Sequence, residues 1–397
     1  MGIFQPADIL LPNACDMTKW SVVACDQFSS EPEYWERVKR EVGGAPSSLA
    51  MILPEAYLGR GADESGETAA RAMADYLRRG IFEKIENSFI YVERALSDGK
   101  TRRGLVGAVD LEAYDYSPDT AAPIRASERT VAERLPARAA VRRRAALELP
   151  HTMALIDDAA RSVIEPFARE TDAMQRLYDF ELMEGGGHIR GWRVTGRGAA
   201  RVTAAFERLR ASPRVVIGDG NHSLAAAKSH WDSIKSGSGG GAAAHPARYA
   251  LVELNNVYDP AVTFEAIHRV VFDVDARQFI AGLEKAVGGG GAYKIRWRAA
   301  GETGEISARA ACIGDLIEAV QTYIDGTGVR ADYIHGADSA IALSGAPGAA
   351  AVLLPAMDKS DIFGTVAARG LFPRKSFSIG EARDKRYYLE CRRIAAQ

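Results

Sequence analysis

One short segment constrains this chain more than any other: Arg214-Val215-Val216-Ile217-Gly218-Asp219-Gly220-Asn221-His222-Ser223-Leu224. A β-branched run ends in a glycine turn, and helical spacing begins at once, with Leu224, Ala227, Trp231 and Ile234 on one face. Asn221 and Ser223 are candidate N-caps. The first N–H groups of a helix have no partners inside it, and its dipole favours negative charge there, so a strand–turn–helix unit suits an anion. Glycines at 218 and 220 let the backbone turn and approach a ligand. A turn that only reversed the chain would not need Asp219 and His222 inside it. The alternative is that Asp219 and Asn221 cap the helix and His222 packs locally.

The rest of the pattern is mixed. Periodicity predicts helices over 33–42 and 66–79, and another around Val202, Phe206 and Leu209. Hairpins are expected over 88–96 with 103–111, and over 178–183 with 188–195. Strands are expected at 249–254 and 387–394. The uncharged span 339–357 is broken by Gly345, Pro347, Gly348 and Pro355, so it reads as two short strands, 341–343 and 350–354, rather than a membrane helix. Glycine-rich stretches at 236–241 and 288–291 read as mobile or surface linkers. The expected class is α+β, with mixed sheets and flanking helices. A length of 397 residues predicts two lobes, placed at 1–210 and 211–397.

The formal charge of −2 does not favour a general nucleic-acid binder. Residues 1–11 lack a basic stretch followed by a long apolar one, which points to a cytoplasmic protein without a membrane partner. Cys15, Cys25, Cys312 and Cys391 form no Cys-x-x-Cys pair, so reduced thiols are expected. Asp26 beside Cys25 opposes a nucleophilic thiol. Between 125 and 144 stand seven arginines and two acids, and Arg134, Arg138 and Arg142 recur at i+4. The later arginines read as the solvated face of a helix. The seven histidines form no metal-binding pattern, and His151, His188 and His245 default to surface or structural roles.

Several segments, in order along the chain, resemble motifs of a bacterial family of unknown function, DUF1015. The 219–223 turn is similar to its Asp-Gly-His-His-Arg motif. Trp20-Ser21-Val22-Val23-Ala24-Cys25-Asp26-Gln27-Phe28 resembles a variant of its Pro-Tyr-Asp segment, and Arg125-Ala126-Ser127-Glu128-Arg129-Thr130 its His-Glu-x-Thr segment. Phe264-Glu265-Ala266-Ile267-His268-Arg269-Val270 resembles its His-Arg-Val segment, and Pro373-Arg374-Lys375-Ser376 its Pro-Lys-Ser segment. The strand–Asp-Gly-x-His–helix unit also resembles the phosphate-binding motif of the ParB/sulfiredoxin superfamily, whose members bind nucleotides and include free-serine kinases. Ser223 stands where that motif carries Arg, so its bidentate phosphate contact is lost.

The resemblance implies a ParB/sulfiredoxin-like strand–turn–helix core and a nucleotide-dependent phosphotransferase for a small hydroxyl-bearing metabolite such as serine, with ATP or ADP and Mg2+. In that reading Gly218, Gly220, Asn221 and Ser223 cradle phosphates. Asp26 and Asp219 hold the metal or accept the hydroxyl proton, and Arg125 or Arg129 neutralises the transferred group. Glu128 and His222 join the catalytic set, and His268 the binding set. All would converge on one cleft. A non-catalytic nucleotide-binding regulator and a metal-assisted phosphate hydrolase are the alternatives.

Overall fold

A computed structural model describes residues 2–29, 31–57, 62–130, 135–237 and 241–396. The chain is an α+β protein with mixed sheets. It divides into two compact units: Met1–Ala126, Thr130–Val262 and Ala382–Gln397 in the first, Ser127–Arg129 and Thr263–Glu381 in the second. These units do not follow a cut at 210/211, because the C-terminal residues return to the first.

The first unit is built on an 11-stranded sheet. Phe82–Ala95 and Thr101–Asp110 pair antiparallel with Ile90 opposite Val106, as the alternation predicts. Arg176–Leu182 and Gly187–Val194 form the second expected hairpin. Beyond Thr101–Asp110 come Tyr249–Asn256, Met153–Ile156, Val215–Asp219 and Ile124–Ala126. Met153–Ile156 is parallel to Tyr249–Asn256 and antiparallel to Val215–Asp219. Met153–Ile156 is apolar throughout and fully buried, whereas Tyr249–Asn256 also buries the polar Glu253, Asn255 and Asn256. Helix Pro32–Val42 starts with Pro in its first turn and buries Tyr34, Trp35, Val38 and Val42. Each such side chain contributes about 1.5–3 kcal/mol by leaving water.

The second unit carries a six-stranded sheet ordered Glu302–Ala308, Gly289–Ala299, Ala350–Leu353, Phe264–Phe272 and Arg330–His335, with Phe377–Ile379 also on Phe264–Phe272. Helix Ala276–Val287 is capped by Asp275, which accepts from the Gln278 N–H at 3.0 Å, and ends at Gly288 with φ +67°. It buries Phe279, Ile280, Leu283 and Val287.

Four local expectations fail. Residues 341–343 close the helix Ala337–Leu343 instead of forming a strand. Ala, Asp and Ser outnumber the single β-branched Ile341 there, and only Ala340 is buried. Residues 387–394 do not make one strand. Tyr387–Tyr388 pairs with Val22–Val23, and Arg392–Arg393 pairs with Leu147–Glu148. The glycines at 289–291 begin a strand rather than a linker. The linker expected at 236–241 is helical up to Gly237, and 238–240 lie outside the described residues.

The arginine-rich helix, Leu135–Arg144, is not a purely solvated face. Arg138 pairs with Glu55, and Arg142 pairs with the buried Glu148. Arg134 lies outside the described residues. Among the described residues, no helix is long and apolar enough to cross a membrane.

Candidate functional site

The strand Val215–Asp219 and the helix Asn221–Gly237 meet at Gly220. Gly220 has φ +81°, a conformation that costs an L side chain heavily. A Cβ there would lie 2.9 Å from Thr152 Cα and Oγ1. Position 220 is therefore glycine for two independent reasons. The helix starts one residue earlier than the capping reading requires: the Leu224 N–H donates to the Gly220 carbonyl at 3.1 Å. Asn221 and Ser223 thus sit inside the first turn and are not N-caps. The Asp219 carboxylate accepts from the Gly220 N–H at 3.0 Å. Residues 218, 219, 220, 222 and 223 are half-buried, and Asn221 is buried.

The neighbouring strand brings in a residue that sequence reasoning passed over. Met153 is opposite Asp219, with the register irregular between Ile217 and Asp219. This places His151 and Thr152, which just precede that strand, against the turn. His151 is 5% exposed, and its Nε2 lies 3.1 Å from Ser223 Oγ. With Nε2 unprotonated, the Ser223 hydroxyl donates to it. The ring also meets Tyr388 edge-on, with centroids 5.2 Å apart.

A cation arrives from the far end of the sequence. Lys385 Nζ lies 3.4 Å from Asp219 Oδ2, with the lysine side chain 6% exposed and the aspartate 18%. Lys385 is pinned by its neighbours. The Arg386 carbonyl accepts from the Ala24 N–H at 3.0 Å, and Tyr387 pairs with Val23. The Arg386 guanidinium donates to the Pro150 carbonyl at 3.3 Å and forms ion pairs with Glu253 and Glu390. Tyr178 donates to Glu390 at 2.8 Å. Burial pushes the Glu253 carboxyl up, but Arg386 and Arg102 overcome this and hold it at about 2. The same ion cluster thus locks both sides of the site, through Pro150 and through Lys385.

Asp26 completes the arrangement. Its carboxylate accepts from Gln27 Nε2 at 3.1 Å. Burial raises its pKa, but His151, the Gln27 amide, Arg138 and Lys385 outweigh burial and hold the carboxyl below its usual range. His151 moves down. Burial disfavours the imidazolium more than Asp26 and Asp219 favour it. At neutral pH Asp26 is therefore ionised and the His151 imidazole neutral. Burial and Asp26 both push the Cys25 thiol up, which opposes a thiolate role as the sequence anticipates.

The other expected site residues have these surroundings. Arg125 is buried in the strand parallel to Val215–Asp219 and donates from Nε to the Ala122 carbonyl at 3.0 Å. His222 is in the first helical turn. Glu128, Arg129 and His268 belong to the second unit. Glu128 accepts from the Ser376 N–H at 3.1 Å and the Lys375 N–H at 3.3 Å, and burial pushes its carboxyl up. Arg129 pairs with Glu318 at 3.1 Å on the surface. His268 is buried, its Nδ1 has no hydrogen-bond partner among the described residues, and burial pushes its pKa down. Lys385, which no motif flagged, is a cation beside the turn. Its only sequence signal was the charge-dense stretch Glu381-Ala-Arg-Asp-Lys-Arg386. His151 had no signal beyond standing before an apolar strand.

Four of the five motif segments, all but 373–376, fall inside one family match. The family "Protein of unknown function (DUF1015)" matches residues 6–339. The chain belongs to this family. Comparison with curated proteins finds no match. Three solved structures resemble it distantly. One is C-terminally truncated SbnI from Staphylococcus aureus, at 10% identity and TM-score 0.37, covering 69% of this chain and 83% of that one. Another is a conserved hypothetical protein from Pyrococcus furiosus, at 11% identity and TM-score 0.36, covering 72% and 94%. The third is a free serine kinase solved with ADP, at 10% identity and TM-score 0.39, covering 72% and 91%. At these scores the likeness assigns no activity, and the functional reading rests on the side chains of the 218–223 turn.

Proposed function

We propose that the chain is a nucleotide-dependent phosphotransferase acting on a small hydroxyl-bearing metabolite, with free serine as the first acceptor to try. The observation that carries this reading is Lys385, seated almost fully out of water beside Asp219 at the start of a 17-residue helix. A buried ammonium next to a helix N-terminus is a strong attractor for phosphate oxygens. It also takes over the positive charge that the family's Arg would have supplied at position 223. In this reading the 220–223 backbone and Lys385 hold the nucleotide phosphates, and the neutral His151 accepts a proton as a hydroxyl attacks.

Among the described residues, no three His, Cys, Asp or Glu side chains gather into a dedicated metal cage. Mg2+ does not need one, since it is usually held by one or two carboxylates plus substrate phosphates. Asp26 and Asp219 would be the carboxylates to hold an ion that arrives with the nucleotide and neutralises phosphate charge.

The test is a screen of ATP and ADP, with magnesium, against amino acids and hydroxy acids, read by phosphorus NMR. A phosphorylated acceptor is expected, and Asp219→Asn should lower turnover by about 10²–10³-fold while leaving the fold intact. Nucleotide binding without product would favour a regulatory protein, and neither binding nor product would remove both.

A further inference from the structure

Ser223 is one of two residues, with Asn221, at which this chain departs from the Asp-Gly-His-His-Arg motif of its family, and its hydroxyl faces a base. Its Oγ is 3.1 Å from His151 Nε2. Ser223 is half-buried, so a ligand can reach it, whereas His151 beneath it is 5% exposed. The carboxylates of Asp26 and Asp219 favour the imidazolium electrostatically, which suits a base that takes the proton of a hydroxyl. These are the parts of an activated nucleophile: a hydroxyl, a base within hydrogen-bond reach, and acidic groups that favour the charged base. Ser223 lies in the first turn of the helix Asn221–Gly237, where a phosphate ester is favoured by the dipole and the N–H groups. Arg at this position would bind phosphate but could not accept it.

We propose that Ser223 is the first acceptor of the phosphoryl group, so that transfer runs through a phosphoserine on the protein. The inference rests on the phosphotransferase reading above. In the first step Ser223 Oγ forms a bond to the γ-phosphorus of ATP, and the bond from that phosphorus to the bridging oxygen breaks. ADP leaves, and the hydroxyl proton passes to His151 Nε2 and then to solvent. In the second step the metabolite hydroxyl attacks the phosphoserine phosphorus. Its proton goes to His151 Nε2 and on to Ser223 Oγ as the P–Oγ bond breaks, and the serine is regenerated. Nothing is oxidised or reduced.

The experiment uses the full chain with ATP and magnesium and no acceptor. Acid-quenched protein should gain the mass of one phosphoryl group, mapped to the peptide holding Ser223. Labelled ADP should exchange into ATP without any acceptor present. Ser223→Ala should lose both signals and all acceptor turnover, yet keep the nucleotide-induced rise in melting temperature, which shows that it folds and binds. His151→Gln should slow exchange by about 10²–10⁴-fold. Acceptor turnover by Ser223→Ala at the native rate, or native turnover with Ser223 unlabelled, would overturn the phosphoserine and leave direct transfer. No binding and no product from the native protein would overturn this inference and the phosphotransferase reading together.

Discussion

Two regions of this molecule carry equally conspicuous family motifs and use them in opposite ways. At the 218–223 turn most of the residues stay half open to solvent, and unlike charges meet there: Lys385 pairs with Asp219, and Ser223 faces the His151 imidazole. In the second unit the motif side chains serve the backbone. Glu128 accepts the N–H groups of Lys375 and Ser376, and Ser376 Oγ donates to the Pro373 carbonyl at 2.7 Å. The N–H of the buried Ser376 would otherwise lack a partner and needs such an acceptor. A motif in sequence therefore marks a constrained position, and only the partners reveal whether the constraint is chemistry or folding.

The contrast breaks most easily at Lys385. Lys385→Met keeps the volume and removes the cation, so turnover should fall by about 10²-fold or more with nucleotide affinity weakened. Steady-state kinetics would show this, and unchanged kcat/KM would remove the turn from the chemistry. Next comes the buried cluster that pins the site. Glu253→Gln leaves Arg386 and Arg102 short of charge in a dry environment, at a cost of about 3–5 kcal/mol in denaturant melts. The acid dependence follows from the same group. Its folded pKa of about 2 lies below its ordinary value of 4.5, so its stabilisation is complete above 4.5 and is lost as pH falls toward 2.

Glu128→Ala sharpens the second half of the comparison. It should cost about 1–3 kcal/mol by orphaning two N–H groups, with turnover per folded molecule unchanged. Lost turnover at unaltered stability would make Glu128 catalytic after all. The smallest expected effect is the pH response of His151. Its pKa lies below 6.5, because the buried imidazole resists protonation. Stability should therefore rise with pH up to 6.5 and then level off, and the acid limb of the rate profile should have its midpoint below 6.5. A midpoint above 6.5 would mean that the carboxylates dominate over burial.

Local signals carried a good share of the fold. The hairpins over 82–110 and 176–194 and the helix Pro32–Val42 were legible because their apolar periods match one secondary structure and tertiary packing agrees with it. The helix at 337–343 was missed because a short Ala-rich run has no decisive period, and the break at 387–394 because pairing partners are not a local property. Arg138 and Arg142 looked solvated because helical spacing shows which residues share a face and not what lies opposite.

At the site, the sequence alone determined the turn. Strand propensity, two glycines and a helix start within ten residues leave few other geometries, and Gly220 at φ +81° is the result. Tertiary structure decided which side chains face it. His151 comes from the segment leading into the adjacent antiparallel strand, Asp26 from the N-terminal segment and Lys385 from the C-terminal one, across separations of dozens to hundreds of residues. Their charges act on one another because the fold removes water from between them, and that low-dielectric proximity has no counterpart in the linear chain.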